Sequence, residues 1–173
     1  MECRRLPTIS ALVFLCIFAA CEDRRADKAY LRGDYDKALS DIQFLAHGGE
    51  ARAQYDLGLM YDKGQGVPQS DAEAKQWYEL AAEQGEPRAQ YNLGLMYMNG
   101  QGVPPDLVKA YFWISLSASH GNPSALNARD YISEKMSTEQ IAEGKRLVQE
   151  YEQRAAERNA CLSCNLSKGK LAQ

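Results

Sequence analysis

The chain is short of histidine, of paired cysteines and of charge of one sign, and each shortage closes off a class of function. Only His47 and His120 occur in 173 residues. No H-E-x-x-H helix, phosphate loop or nucleophile elbow appears, so the usual motifs for metal-assisted hydrolysis, phosphoryl transfer and acyl transfer are missing. On that ground no enzymatic activity, cofactor or metal is expected. The five cysteines lie at 3, 16, 21, 161 and 164, with none through the body of the chain, which excludes a disulfide-built scaffold. Formal charge is −3 with both signs interspersed. Phosphate binding wants a net basic face, so no nucleic-acid partner is expected. There is one long apolar run, Ile9 to Ala20, interrupted only by Ser10. It is too short to cross a bilayer as a helix, which takes about 20 residues.

That run has the form of an address. Arg4 and Arg5 precede it, and its length suits the apolar region of a secretory signal. It ends Phe18-Ala19-Ala20-Cys21. An ordinary signal site takes small residues at −3 and −1, and cleavage after Ala20 puts bulky Phe18 at −3. The tetrapeptide resembles a bacterial lipobox, which tolerates a larger apolar residue there and requires Cys at +1, although Leu is commoner than Phe at its first position. On that resemblance residues 1–20 are the signal peptide, and Cys21 receives the lipid and becomes the new N-terminus. Glu22 is not the Asp associated with inner-membrane retention, so the expectation leans to the outer membrane. The competing reading is a soluble periplasmic protein cleaved nearby, with Cys21 an ordinary thiol.

The body of the chain repeats. Residues 52–68 read RAQYDLGLMYDKGQGVP and residues 88–104 read RAQYNLGLMYMNGQGVP, differing at three positions of 17. The offset of 36 continues through Ala74 and Ala110, Trp77 and Trp113, and Gly85 and Gly121. Helix punctuation recurs with it. Gly64 and Gly100 stand where a helix stops, and Pro68 and Pro104 forbid its continuation. Ser70 and Asp106 can cap the next helix, Ser70 with Glu73 as a capping box. Pro87 and Pro123 suit the first turn of the helix after each glycine. Glu50, Glu86 and Asn122 are equivalent helix starts. Upstream, Tyr30 to Tyr35 joins two short helical segments. Downstream, Ser137 and Gln140 open a long helix to about Glu157. The count is roughly eight helices, the last capping the stack, as a solenoid requires.

The residues that fix the period, Ala-x-x-x-Leu-Gly-x-x-Tyr-x-x-Gly-x-Gly-Val-Pro, resemble the Sel1-like repeat family, a relative of the tetratricopeptide repeat with a longer inter-helix loop. The domain so expected covers residues 21–158, with clear repeats at 51–86 and 87–122 and degenerate units on both sides. The resemblance implies an all-α, short right-handed solenoid that scaffolds protein complexes, often in bacterial envelopes. It names no partner. The expected partners are therefore envelope proteins, with a membrane reached through the N-terminal lipid, and the expected place is the periplasmic side of the envelope.

On a helical wheel, Ala53, Leu57, Met60 and Tyr61 fall on one side and Tyr55 and Leu59 nearly opposite, as for a helix squeezed between two neighbours. The recurring Gly58 and Gly94 suggest close backbone approach, and the Tyr and Met residues suggest core. One narrow stripe stays polar: Arg52, Asp56 and Lys63, repeated as Arg88, Asn92 and Asn99. In tetratricopeptide-like folds this helix lines a groove, so Arg52 and Arg88 are candidates to meet a partner's carboxylates. The alternative is surface pairing with Asp56 or Glu50, which contributes little.

Residues 159–173 form a tail containing Cys161-Leu162-Ser163-Cys164. A thioredoxin-like site wants this motif at a strand-to-helix turn, and a structural zinc site wants two further ligands. In an oxidising envelope a local Cys161–Cys164 disulfide is the simplest reading, followed by an intermolecular bridge and then a redox site. His47 and His120, each at a helix end, are read as structural. Two functional rivals to the scaffold stay open: a weak peptidoglycan- or β-lactam-acting envelope enzyme, and a periplasmic regulator of a signalling receptor.

Overall fold

The computed structural model describes residues 35–169, the side chains of 36, 37 and 159–169 excepted. Among the described residues there are seven helices and no strand: α1 (Tyr35–His47), α2 (Ala51–Lys63), α3 (Asp71–Glu83), α4 (Pro87–Asn99), α5 (Leu107–Ser119), α6 (Pro123–Ser133) and α7 (Thr138–Gly169). The chain divides into two compact units within α3, one ending at Trp77 and the other beginning at Tyr78. The predicted segment ahead of Gly33 and the signal region lie outside the described residues.

The repeat is written into the turns. After α2 and α4 the chain enters the left-handed region at Gly64 (φ +66°) and Gly100 (φ +72°), where a side chain would be strained. The following N–H groups, of Gln65 and Gln101, donate to the Met60 and Met96 carbonyls at 2.9 and 3.0 Å. Each loop closes in the same way, Ser70 N–H on the Tyr61 carbonyl and Asp106 N–H on the Tyr97 carbonyl, both at 2.9 Å. The caps predicted from sequence form. Asp106 accepts from the Val108 and Lys109 amides at 3.0 Å each, and Ser70 Oγ from the Glu73 amide at 3.3 Å. Glu86 and Asn122 cap α4 and α6, with Pro87 and Pro123 in the first turn, while Glu50 holds the equivalent place without a side-chain cap bond.

In the first unit α1 packs on α2, burying Ala38, Ile42 and Ala46 with Ala53, Leu57 and Met60. In the second unit α4 packs on α5, and α5 on α6 and α7. Two glycines set how closely. A Cβ on Gly94 would stand 2.4 Å from Ile114 Cγ1 and 3.2 Å from the Ala110 carbonyl oxygen. The close approach expected at this repeat position is thus a contact of α4 with α5. On α7, a Cβ on Gly144 would stand 2.6 Å from the Tyr111 ring, so the terminal helix also docks through a bare backbone.

The last helix differs from the sequence reading. Its capping box forms, with Ser137 N–H on Gln140 Oε1 at 3.0 Å and Gln140 N–H on Ser137 Oγ at 3.2 Å. Its backbone then runs past Glu157 to Gly169, so residues 159–169, including Cys161 and Cys164, continue the helix where a tail was expected. No Pro or Gly intervenes before Gly169, so no strong helix breaker stops propagation there. The proposed disulfide concerns side chains outside the described residues.

Candidate functional site

In the second unit a cleft of about 770 Å³ opens on the side of α3, α5 and α7. α5 contributes Lys109, Phe112 and Trp113, spaced so that they share one face while Ala110, Ile114 and Ser117 turn to the core. α7 contributes Leu147, Tyr151, Arg154 and Arg158, a stripe of steps 4, 3 and 4 on a single helix face. The C-terminal part of α3 supplies Glu79 and Glu83, and α4 supplies Tyr97.

The floor is aromatic. Phe112 meets Trp113 edge to face at 4.9 Å and Tyr151 at 5.9 Å between ring centroids. The Tyr151 hydroxyl donates to the Glu83 carbonyl at 3.2 Å, which ties α7 to the end of α3. At another point the Tyr97 hydroxyl donates to Glu79 Oε1 at 3.5 Å, and Lys109 Nζ lies 5.2 Å from the centroid of the Tyr97 ring, a cation–π arrangement. Beside the α7 stripe runs a charge ladder. Arg146 binds Glu143 at 2.6 Å and also Glu150, and Glu150 takes Arg154 at 3.6 Å as well. The hydrogen bond from Arg146 holds the Glu143 carboxyl below the usual carboxylate range, and Glu143 in turn raises the Arg146 guanidinium.

The repeat allows an internal comparison. Trp77 and Trp113 are one period apart, as are His47 and Glu83, the last residues of α1 and α3. In the first unit the His47 ring stands edge to face on Trp77 at 5.2 Å, its Nδ1 donating to the Gln43 carbonyl at 2.6 Å. In the second unit the equivalent tryptophan lines an open cleft together with Glu83.

The residues singled out from sequence lie elsewhere. Arg52 is exposed in the first turn of α2, 4.0 Å from Asp56, and Lys63 is exposed at the end of that helix. Arg88 is exposed in the first turn of α4 with its Nε 2.7 Å from Glu86 Oε1. Asn92 is half-buried and Asn99 exposed on the same helix. Cys21 is outside the described residues. His120 Nδ1 donates to Gln90 Oε1 at 2.8 Å. No group of three His, Cys, Asp or Glu side chains is placed to hold a metal ion among the described residues, and no helix among them is long and apolar enough to cross a membrane. Sequence reasoning missed the cleft because its floor is assembled from α5 and α7. The signal available was Phe112 and Trp113 beside an amphipathic terminal helix that carries Tyr151.

Paired helices with recurring caps and loops define an all-α helical repeat protein of the solenoid class. Residues 51–86 and 87–122 each match the Sel1 repeat model. These two stretches are similar to the Sel1 repeat, and solved structures of Sel1-repeat proteins share the fold. The crystal structure of c5321, a protective antigen present in uropathogenic Escherichia coli strains displaying an SLR fold, matches with TM-score 0.74 at 28% identity, over 78% of this chain and 30% of that one. A Sel1 repeat protein from Oxalobacter formigenes matches with TM-score 0.61 at 29% identity, over 73% of this chain and 54% of that one. The chain thus spans less than two thirds of either relative. No curated protein matches.

Proposed function

We propose that this chain is a protein-interaction module of the bacterial cell envelope, exported by residues 1–20, anchored through a lipid on Cys21, and acting by binding without chemistry of its own. The observation that carries the binding reading is the aromatic cleft, flanked by charges of both signs, on a Sel1-repeat frame. Repeat folds of this class present rigid side-chain arrays for partners, and an aromatic surface rimmed by charge is the composition of an interaction hot spot. The lipobox-like Phe18-Ala19-Ala20-Cys21 supports export and anchoring. A lipoprotein N-terminus carries several acyl chains, enough for a stable anchor.

The test is crosslinking in intact cells, followed by purification from solubilised envelopes and mass identification, with Cys21→Ala and Trp113→Ala in parallel. One envelope protein should recur with the native chain and fall away with Trp113→Ala, and Cys21→Ala should release the chain from the membrane fraction. Recovery of glycan fragments alone would replace this reading with a wall-acting one.

A further inference from the structure

We infer that the cleft receives a peptide segment of the partner in which an aromatic side chain stands beside a single carboxylate. This rests on the interaction reading above and names the chemistry the partner must carry.

The aromatic half of the inference comes from the two repeats. Trp77, half-buried like Trp113, carries the His47 ring edge to face at 5.2 Å within its own unit. At the equivalent place α3 ends in Glu83, whose carboxylate cannot cover an apolar ring, and half-exposed Trp113 lines the cleft with half-exposed Phe112 and Tyr151. Rings already set edge to face offer a large apolar surface at low entropic cost. An inserted ring does for Trp113 what His47 does for Trp77.

The carboxylate half comes from charge. Arg154 and Arg158 lie one turn apart on α7 and reach the cleft. Glu150, the acid nearest Arg154, is shared with Arg146. Of these two guanidiniums, Arg154 therefore shares a carboxylate that is already engaged and Arg158 makes no ion pair among the described residues. An incoming carboxylate gains a charge-assisted, bidentate partner there. The other charges set a limit of one: Glu79 is engaged with the Tyr97 hydroxyl, and Glu83 repels a second acid.

Fluorescein-labelled synthetic peptides with the cores Trp-Glu, Trp-Gln, Trp-Lys and Ala-Glu, titrated with the purified full chain and read by anisotropy, test this. Trp-Glu should saturate, Trp-Gln and Ala-Glu should each bind about tenfold more weakly, and Trp-Lys weakest of all. The double variant Arg154→Gln/Arg158→Gln, which alters only exposed side chains, should bring Trp-Glu to the level of Trp-Gln with unchanged helical circular dichroism. Failure of every peptide to saturate, equal binding of Trp-Lys, or a Trp-Glu preference that survives the arginine variant overturns the inference. If crosslinking in cells still recovers one protein partner, only the cleft chemistry falls; if it recovers none, the interaction reading falls with it.

Discussion

Gln90, fully buried on α4, donates its side-chain amide to the carbonyl of Ala82, the next-to-last residue of α3, at 3.0 Å. One repeat earlier Gln54 does the same to Ala46 of α1 at 3.2 Å. Carbonyls in the last turn of a helix lack an α-helical donor. Ala46 and Ala82 accept from the turn N–H groups of Gly49 and Gly85 at 3.1 and 3.0 Å, and the glutamine of the next helix is their second donor. Gln90 also accepts from His120 Nδ1 at 2.8 Å, which links α3, α4 and the end of α5 in one network. Gln90→Met keeps the volume and removes both bonds, leaving His120 without its acceptor and the Ala82 carbonyl with only the Gly85 N–H at 3.0 Å. The expected cost is about 0.5–1.5 kcal/mol for each bond lost, read as a lower urea midpoint at constant slope. His120→Ala should then cost less in the Gln90→Met background than in the native chain, and strict additivity would mean the two act separately.

Gly94 is held bare by Ile114. Alanine there brings its methyl to 2.4 Å from Ile114 Cγ1, so something must shift, and the Ala110 carbonyl on the other side cannot give easily. Gly94→Ala should destabilise by about 1–3 kcal/mol, despite the better helix propensity of alanine. Ile114→Ala alone should cost about 2–5 kcal/mol as a cavity. In that background the added methyl has room, and Gly94→Ala should become neutral or stabilising. Equal cost of Gly94→Ala in both backgrounds would place the strain on the backbone contact alone.

These two positions also mark where sequence reading works and where it stops. Gly58 and Gly94 recur, and glycine inside a helix has few explanations, so close approach was legible before any coordinates. Asp106, Ser70 and Ser137 were legible as caps because capping depends on neighbours within a few residues. Gln54 and Gln90 were not, since a polar residue between apolar ones reads as a solvent position until the carbonyl it satisfies is known. The cleft was hidden for a related reason. Phe112 and Tyr151 meet only because α7 docks on α5 through Gly144, a contact between distant parts of the chain that periodicity cannot express. The polar stripe of Arg52 and Arg88 was visible because it is local, and the structure finds each arginine in a local surface pair. The end of α7 lies beyond the expected Glu157 because no residue between Glu157 and Gly169 is a strong helix breaker, so the sequence marks no stop.

Asp106 carries the start of α5, and with it the placement of Lys109, Phe112 and Trp113. Its carboxylate accepts from two amides at 3.0 Å and lies 3.8 Å from Lys109 Nζ. Asp106→Ala should cost about 1 kcal/mol, while Asp106→Asn, still an acceptor, should recover most of it. Proton exchange at the Val108 and Lys109 amides gives a local check. Both should exchange faster in the alanine variant, and unaltered exchange would show that water replaces the cap without penalty.

The charge ladder on α7 predicts a direction with pH. The hydrogen bond from Arg146 lowers the Glu143 carboxyl, and one from Ser137 lowers Glu139. A depressed folded value means that each contribution is complete above the ordinary glutamate range and is lost as pH falls from there through the folded value. Both groups are exposed, so solvent screens the effect and its share of stability is small. Side-chain carboxyl NMR should show Glu143 titrating below the usual range, and returning toward it in Arg146→Gln with Glu139 unmoved. A Glu143 that does not respond to the loss of Arg146 would take the ladder out of the account.

The polar stripe on α2 and α4 and the aromatic cleft in the second unit make different demands on a partner, and one pair of variants separates them. Arg52 and Arg88 are exposed, and their pairs with Asp56 and Glu86 are of the kind that contributes little to folding. Arg52→Ala/Arg88→Ala should therefore leave the unfolding midpoint nearly unchanged. A partner carboxylate that exchanged for Asp56 or Glu86 would gain equally little, because the arginines begin paired in water. Trp113 begins partly uncovered beside Phe112, so covering it removes apolar surface that nothing in the free chain covers. Crosslinked partner yield in cells, normalised to protein level, should fall slightly with the arginine variant and mostly vanish with Trp113→Ala. The reverse order would move the binding surface to the stripe, since only specific capture of carboxylates by Arg52 and Arg88 could make exposed pairs dominate.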